Sequence, residues 1–297
     1  MRFLRQQRLR PSLVWVAMGA VLFATAIWAI MLGSSLTDIE GMPRSPVPKA
    51  VAPPNSTAAY TKQPTTTLTT RPRSAVVVAI GDSVTAATVC GCTGFVESYA
   101  AQLPAVTGGP AHSVNLGTNG LTAAALRTSM TSPTPTARGA AEADILLVTI
   151  GANDLTPLLS RWRDSGCGAA CYSPAVDAVG SDVSAILAAA KDLRGPQPTQ
   201  ILVTDYWNVF ADGDVARASD GPAYLRWSDE LTRALNSRIC AAAQGAGAVC
   251  VDLYAPFKGD GGLNPTALLA SDGDHPNTAG NQLISSALLT ATSPSPR

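Results

Sequence analysis

Five short apolar runs, rich in β-branched residues and separated by stretches of helical character, constrain the fold of this chain more than any other feature. Four are clear: 75–80 (AVVVAI), 144–150 (DILLVTI), 200–204 (QILVT) and 248–253 (AVCVDL). A weaker one lies at 112–116 (HSVNL). Helical stretches are expected at about 94–103, 121–130, 174–194, 223–244 and 278–290. The strands are apolar at consecutive positions rather than at every second one, so both sheet faces must be covered. Strands alternating with helices then predict a roughly five-stranded parallel sheet between two helical layers, a three-layer α/β/α sandwich.

The 297 residues suit one such domain, at 75–297, plus an appendage. Four arginines (Arg2, Arg5, Arg8 and Arg10) precede SLVWVAMGAVLFATAIWAIML at 12–32, which carries no charge. As a helix this run extends roughly 31 Å, the thickness of a bilayer's hydrocarbon core. The expectation is a cytoplasmic basic segment at 1–11 and a transmembrane signal anchor at 12–32. The positive-inside bias would then place everything after the span outside the cytoplasm. Trp15 and Trp28 stand toward its two ends, as interfacial anchors do. A cleaved signal peptide, giving a secreted protein, is the alternative; against it, the apolar core is long and no clear A-x-A site follows. Residues 33–74 read as an extended Pro/Thr/Ser-rich linker, with seven prolines and the run TTTLTT.

Charge divides the chain. Residues 1–74 hold nine basic and two acidic side chains, and residues 75–297 hold twelve and nineteen. An acidic main domain excludes nucleic acid as the expected partner, because phosphate binding needs a basic surface. Six cysteines outside the expected membrane segment predict disulfides, and their spacing suggests Cys90–Cys92, Cys167–Cys171 and Cys240–Cys250. Zinc binding is the rival reading, but no histidine lies near these cysteines.

In open α/β sheets ligands bind beyond the carboxyl ends of the strands, so the residues just after each strand matter most. Those are Gly81-Asp82-Ser83, Asn115-Leu-Gly117-Thr-Asn119-Gly120, Gly151-Ala-Asn153-Asp154, Asp205-Tyr206-Trp207 and, some twenty residues after the last strand, Asp272-Gly-Asp274-His275. Each alone is an ordinary cap or turn. Together they resemble the SGNH/GDSL hydrolase family, through GDS at 81–83, NLGTNG at 115–120, GAND at 151–154 and DGDH at 272–275. Val84 stands where the family nickname has Leu. The resemblance covers roughly 75–290 and implies a flavodoxin-like three-layer sandwich and a serine esterase or lipase that needs no cofactor.

It also implies roles. Ser83 is the nucleophile. His275 is its base, and is one of only two histidines; the other, His112, opens the weak strand at the far end of the sheet. Asp272 orients the imidazole, with Asp274 as a competing orienter. The oxyanion hole is formed by the Ser83 N–H, the Gly120 N–H (Gly117 as runner-up) and the Asn153 amide. Asp82 and Asp154 are read as structural. The expected substrate is a small-molecule, lipid or glycan ester, bearing a lipid acyl or an O-acetyl group. Tyr206, Trp207, Phe210 and Trp162 line a pocket or belong to the core, and Asp164–Cys171 forms one pocket wall. Two other functions remain open. Asp82, Asp154 and Asp205 at three strand ends suit a metal-dependent phosphoesterase, and the fold also suits a non-catalytic ligand-binding module.

Overall fold

A computed structural model describes residues 73–293 other than Ser132. The expected cytoplasmic segment, transmembrane helix and nearly all of the linker lie outside the described residues. Among the described residues, no helix is long and apolar enough to cross a membrane.

Five parallel strands form one sheet: β1 (Ala75–Gly81), β2 (Ala111–Gly117), β3 (Ile145–Thr149), β4 (Gln200–Thr204) and β5 (Val249–Val251). Their spatial order is β2-β1-β3-β4-β5. The helices, in chain order, are α1 (Ser83–Ala86), α2 (Phe95–Thr107), α3 (Ala123–Thr131), α4 (Pro135–Glu142), α5 (Thr156–Ser165), α6 (Ala169–Arg194), α7 (Gly213–Ser219), α8 (Gly221–Gly245), α9 (Tyr254–Lys258) and α10 (Thr278–Ala291). α2 packs against α10, and α6 packs against α3, α4 and α8. Right-handed crossovers put these two groups on opposite faces of the sheet, giving the three layers.

The apolar runs sit where burial demands them. Val77–Ile80 of β1 and Leu146–Val148 of β3 are buried on both faces. β2 is an edge strand with His112 and Val114 exposed, which explains its weak apolar signal. β5 is shorter than its apolar run: at Leu253 and Tyr254 the backbone N–H groups turn to the Asp205 carboxylate instead of a neighbouring strand. Three disulfides close at Cys90–Cys92, Cys167–Cys171 and Cys240–Cys250.

The chain leaves β1 for β2 on one side and returns past it to β3 on the other. The strand order therefore reverses between β1 and β3, and the crevice at their carboxyl ends is the place where such sheets bind ligands. Ser83 follows β1 and Asn153 follows β3.

Candidate active site

The site begins with the turn that ends β1. Gly81 has φ of 149°, and a Cβ there would lie 2.0 Å from the Thr149 carbonyl oxygen, so only glycine fits between the strands. Asp82 follows as N-cap of α1. Its buried carboxylate accepts from Val84 N–H (3.0 Å), Thr149 Oγ1 (3.1 Å) and the Tyr206 hydroxyl. Burial pushes its pKa up, and those three donors pull in the other direction. Ser83 is thereby the first residue of a one-turn helix, held over the crevice by a fully engaged neighbour.

His275 arrives from a loop that folds on itself. Asp272 Oδ1 accepts the N–H groups of Asp274 (3.0 Å) and His275 (3.1 Å), and Oδ2 lies 2.7 Å from His275 Nδ1. Burial alone would raise the Asp272 pKa, but these bonds hold it below the usual carboxylate range. Gly273 turns the loop at φ of 72°, and its carbonyl accepts the Asp212 N–H at 2.7 Å. Asp212 in turn meets buried Lys258 Nζ at 2.7 Å, and Lys258 also bonds Asp229 at 2.9 Å. A buried ion-pair cluster thus anchors the loop from below.

The loop delivers His275 Nε2 to 2.8 Å from Ser83 Oγ. With Nδ1–H donating to Asp272, Nε2 carries the lone pair and accepts the serine proton. Ser83, His275 and Asp272 come from chain segments 192 residues apart and form one hydrogen-bonded relay. A family model for GDSL-like lipases and acylhydrolases matches residues 79–283, a range that contains every member of this relay. The chain belongs to the GDSL-like lipase/acylhydrolase family.

Family membership makes it a carboxylic-ester hydrolase. Solved structures similar to this GDSL-family chain share its fold. The lipase Lip_vut3 from a goat rumen metagenome matches with a TM-score of 0.63 at 18% identity, over 75% of this chain and 99% of its own. An acetylxylan esterase, Axe2 from Geobacillus stearothermophilus, matches with a TM-score of 0.51 at 20% identity, over 73% and 93%. A lipase/acylhydrolase from Enterococcus faecalis matches with a TM-score of 0.50 at 15% identity, over 73% and 94%. No curated protein matches the chain in sequence.

A cavity of about 350 Å³ opens beside Ser83 and His275. Asn153 lines it; one Nδ2 hydrogen goes to the Leu121 carbonyl (2.9 Å), which leaves the other for a ligand. The Gly120 turn is not part of the cavity wall. It stands exposed at φ of 74°, next in sequence to the Leu121 that Asn153 holds. Its N–H and that of Ser83 meet no acceptor among the described residues, whereas the Gly117 N–H bonds Asn115 Oδ1 at 3.0 Å. Tyr206, Trp207 and Phe210 are both core and cavity wall.

The structure decides two open readings, Trp162 and Asp274, and corrects one expectation, the wall at Asp164–Cys171. Trp162 does not line the cavity; it stacks on Trp227 and meets the edge of Tyr224, because α5 turns its apolar face to α8. The wall expected from Asp164–Cys171 is supplied instead by Arg163, paired with Asp220, since Cys167 is drawn into the core and its carbonyl accepts Trp227 Nε1 at 2.6 Å. Asp274 does not orient the imidazole; Asp272 does. The carboxylates of the metal alternative do not converge, because each accepts from a different stretch of backbone: Asp82 from Val84, Asp154 from Ala123, and Asp205 from Leu253 and Tyr254. Among the described residues no group of three metal-ligating side chains gathers. His112 lies at the amino end of β2, far from the crevice.

Sequence reasoning missed the Tyr206–Asp82 bond, the Lys258 cluster and Arg163. Tyr206 carried a signal in standing just past a strand end; the lysine and arginine carried none.

Proposed function

We propose that the chain is a membrane-tethered, extracytoplasmic serine esterase that cleaves lipid acyl or O-acetyl esters through an acyl-enzyme on Ser83. The observation that carries this reading is the relay from Asp272 Oδ2 through His275 to Ser83 Oγ, at 2.7 and 2.8 Å. His275 Nε2 takes the hydroxyl proton as Oγ attacks the ester carbonyl. Asp272 holds the imidazole in the required tautomer and stabilises the imidazolium. The Ser83 N–H and the free amide hydrogen of Asn153, both at the cavity, receive the developing oxyanion, and the Gly120 N–H joins them once the exposed 118–121 turn closes on the bound ester. His275 then gives its proton to the departing alkoxide, leaving the acyl group on Ser83. Water, deprotonated by the same imidazole, releases the acid and restores the serine.

The tether rests on the charge-free run at 12–32 and its arginine flank. The three disulfides accord with an oxidising compartment. Cleavage of the amino-terminal segment would instead yield a secreted enzyme. The test is hydrolysis of p-nitrophenyl esters of rising chain length beside acetylated glycans, with membrane fractionation of the full chain. Turnover of at least one ester class by protein that only detergent extracts supports the proposal. Inertness toward every ester would overturn the catalytic part, and release into the medium would overturn the tether.

A further inference from the structure

One group in the cavity has no part in the relay. Asp274 stands between Asp272 and His275 in the sequence and lines the same cavity as Ser83. The other carboxylates there are engaged. Asp272 holds two loop N–H groups and the imidazole, Asp82 holds Val84, Thr149 and Tyr206, and Asp220 holds Arg163. The Asp274 carboxylate meets no hydrogen-bond donor among the described residues, although its own N–H is bonded to Asp272. Burial pushes its pKa up to about 6; His275 pulls against that rise, and Asp272 and Asp82 add to it. The half-buried carboxylate therefore keeps lone pairs for whatever occupies the cavity, solvent or the alcohol half of a substrate.

The position says which half of the ester supplies the donor. His275 returns its proton to the leaving oxygen, so the alcohol half departs on the His275 side of Ser83. Asp274 is the residue just before His275 and lines the same cavity. A hydroxyl beside the ester oxygen, as in a partly acylated polyol, is the donor that fits. An anionic alcohol half would meet an uncompensated carboxylate, and a simple alkyl alcohol would leave it unpaired.

Resting on the Ser83 esterase reading, we propose that Asp274 is a specificity-determining residue whose carboxylate accepts a hydrogen bond from a free hydroxyl of the alcohol half, selecting acyl esters of neutral polyols such as sugars. A hydrogen bond to a charged acceptor corresponds to a factor of roughly 10 to 100 in kcat/KM.

The test compares wild type, Asp274→Ala and Asp274→Asn on three substrates. These are p-nitrophenyl acetate, a mono-O-acetyl methyl glycoside with a free neighbouring hydroxyl, and the same glycoside with that hydroxyl methylated. Asp274→Ala is expected to lose at least about tenfold more kcat/KM on the free glycoside than on p-nitrophenyl acetate. Methylation should cost wild type a similar factor and the Ala variant little further, because both changes remove the same bond. Asp274→Asn, which keeps the shape and one acceptor, should fall between. Equal losses on all three substrates would assign Asp274 to the positioning of His275 and overturn the inference. So would no loss on any, or a wild type that cleaves p-nitrophenyl acetate but not the glycoside. A wild type inert toward every ester would instead overturn the esterase reading beneath it.

Discussion

Tyr206→Phe removes one hydroxyl and probes the support beneath Ser83. The phenol donates to Asp82, whose carboxylate is 1% exposed and caps the helix that begins at Ser83. The other two donors, Val84 N–H and Thr149 Oγ1, remain in the variant. A hydrogen bond to a buried charged acceptor contributes about 1.5–3 kcal/mol, and no solvent reaches Asp82 to replace it. A loss near 2 kcal/mol in a domain of this size lowers Tm by roughly 4–8 °C. The loss should also depend on pH. Tyr206 lowers the Asp82 pKa, so its removal raises further a value that burial has already raised. A carboxyl with a raised folded pKa supports stability while protonated and loses that support as pH climbs through the folded value. The deficit of the variant therefore grows as pH rises and shrinks on acidification. Thermal unfolding followed by circular dichroism at several pH values reads both effects. An unchanged Tm, or a deficit that ignores pH, would refute the role given to this bond.

Three further outcomes follow from the same geometry. Asn153→Ala should lower kcat on an ester substrate by about 10²–10³-fold, as loss of one oxyanion donor does, and a rise in KM alone would reassign Asn153 to ground-state binding. Ser83→Ala and His275→Ala should each remove nearly all the activity that the double variant removes, because relay members act as a unit; steady-state rates that multiply would contradict a shared step. Burial, reinforced by Asp252, pushes Asp205 up to about 7, against the N–H groups of Leu253 and Tyr254. Asp205→Asn keeps an oxygen for both donors and carries no charge, so relative to wild type it should gain up to about 4 kcal/mol as pH rises from about 4 to 8. Urea unfolding across that range checks this, and a pH-independent difference would refute it.

The legible parts of the chain were those where one physical demand acts alone. β1, β3 and β4 must be apolar on both faces, so their runs stood out. Ser83, Asn153, Asp272 and His275 follow strand ends or sit on one polar loop, and chemistry dictates their types. α4 went unread because PTARGAAE buries only Ala137 and Ala140, too little for an apolar stripe, although Thr134 as N-cap and Pro135 in the first turn were present as signals. α5 and α7 are short and mostly polar outward, with few buried residues. The Lys258–Asp212–Asp229 cluster joins three distant segments, and no local pattern announces a lysine whose environment is built by tertiary packing. Asp274 was read as a rival to Asp272 because sequence shows both within reach of His275, while only the loop geometry decides which carboxylate faces the imidazole.

Covalent labelling tests the central claim most directly. A fluorophosphonate reacts only with a serine whose proton a neighbouring base removes. Intact-protein and peptide mass spectrometry of the full chain should find one adduct, on Ser83, formed rapidly in wild type and suppressed in His275→Ala. No adduct, an adduct on another residue, or labelling of Ser83 that proceeds equally well without His275 would contradict the relay.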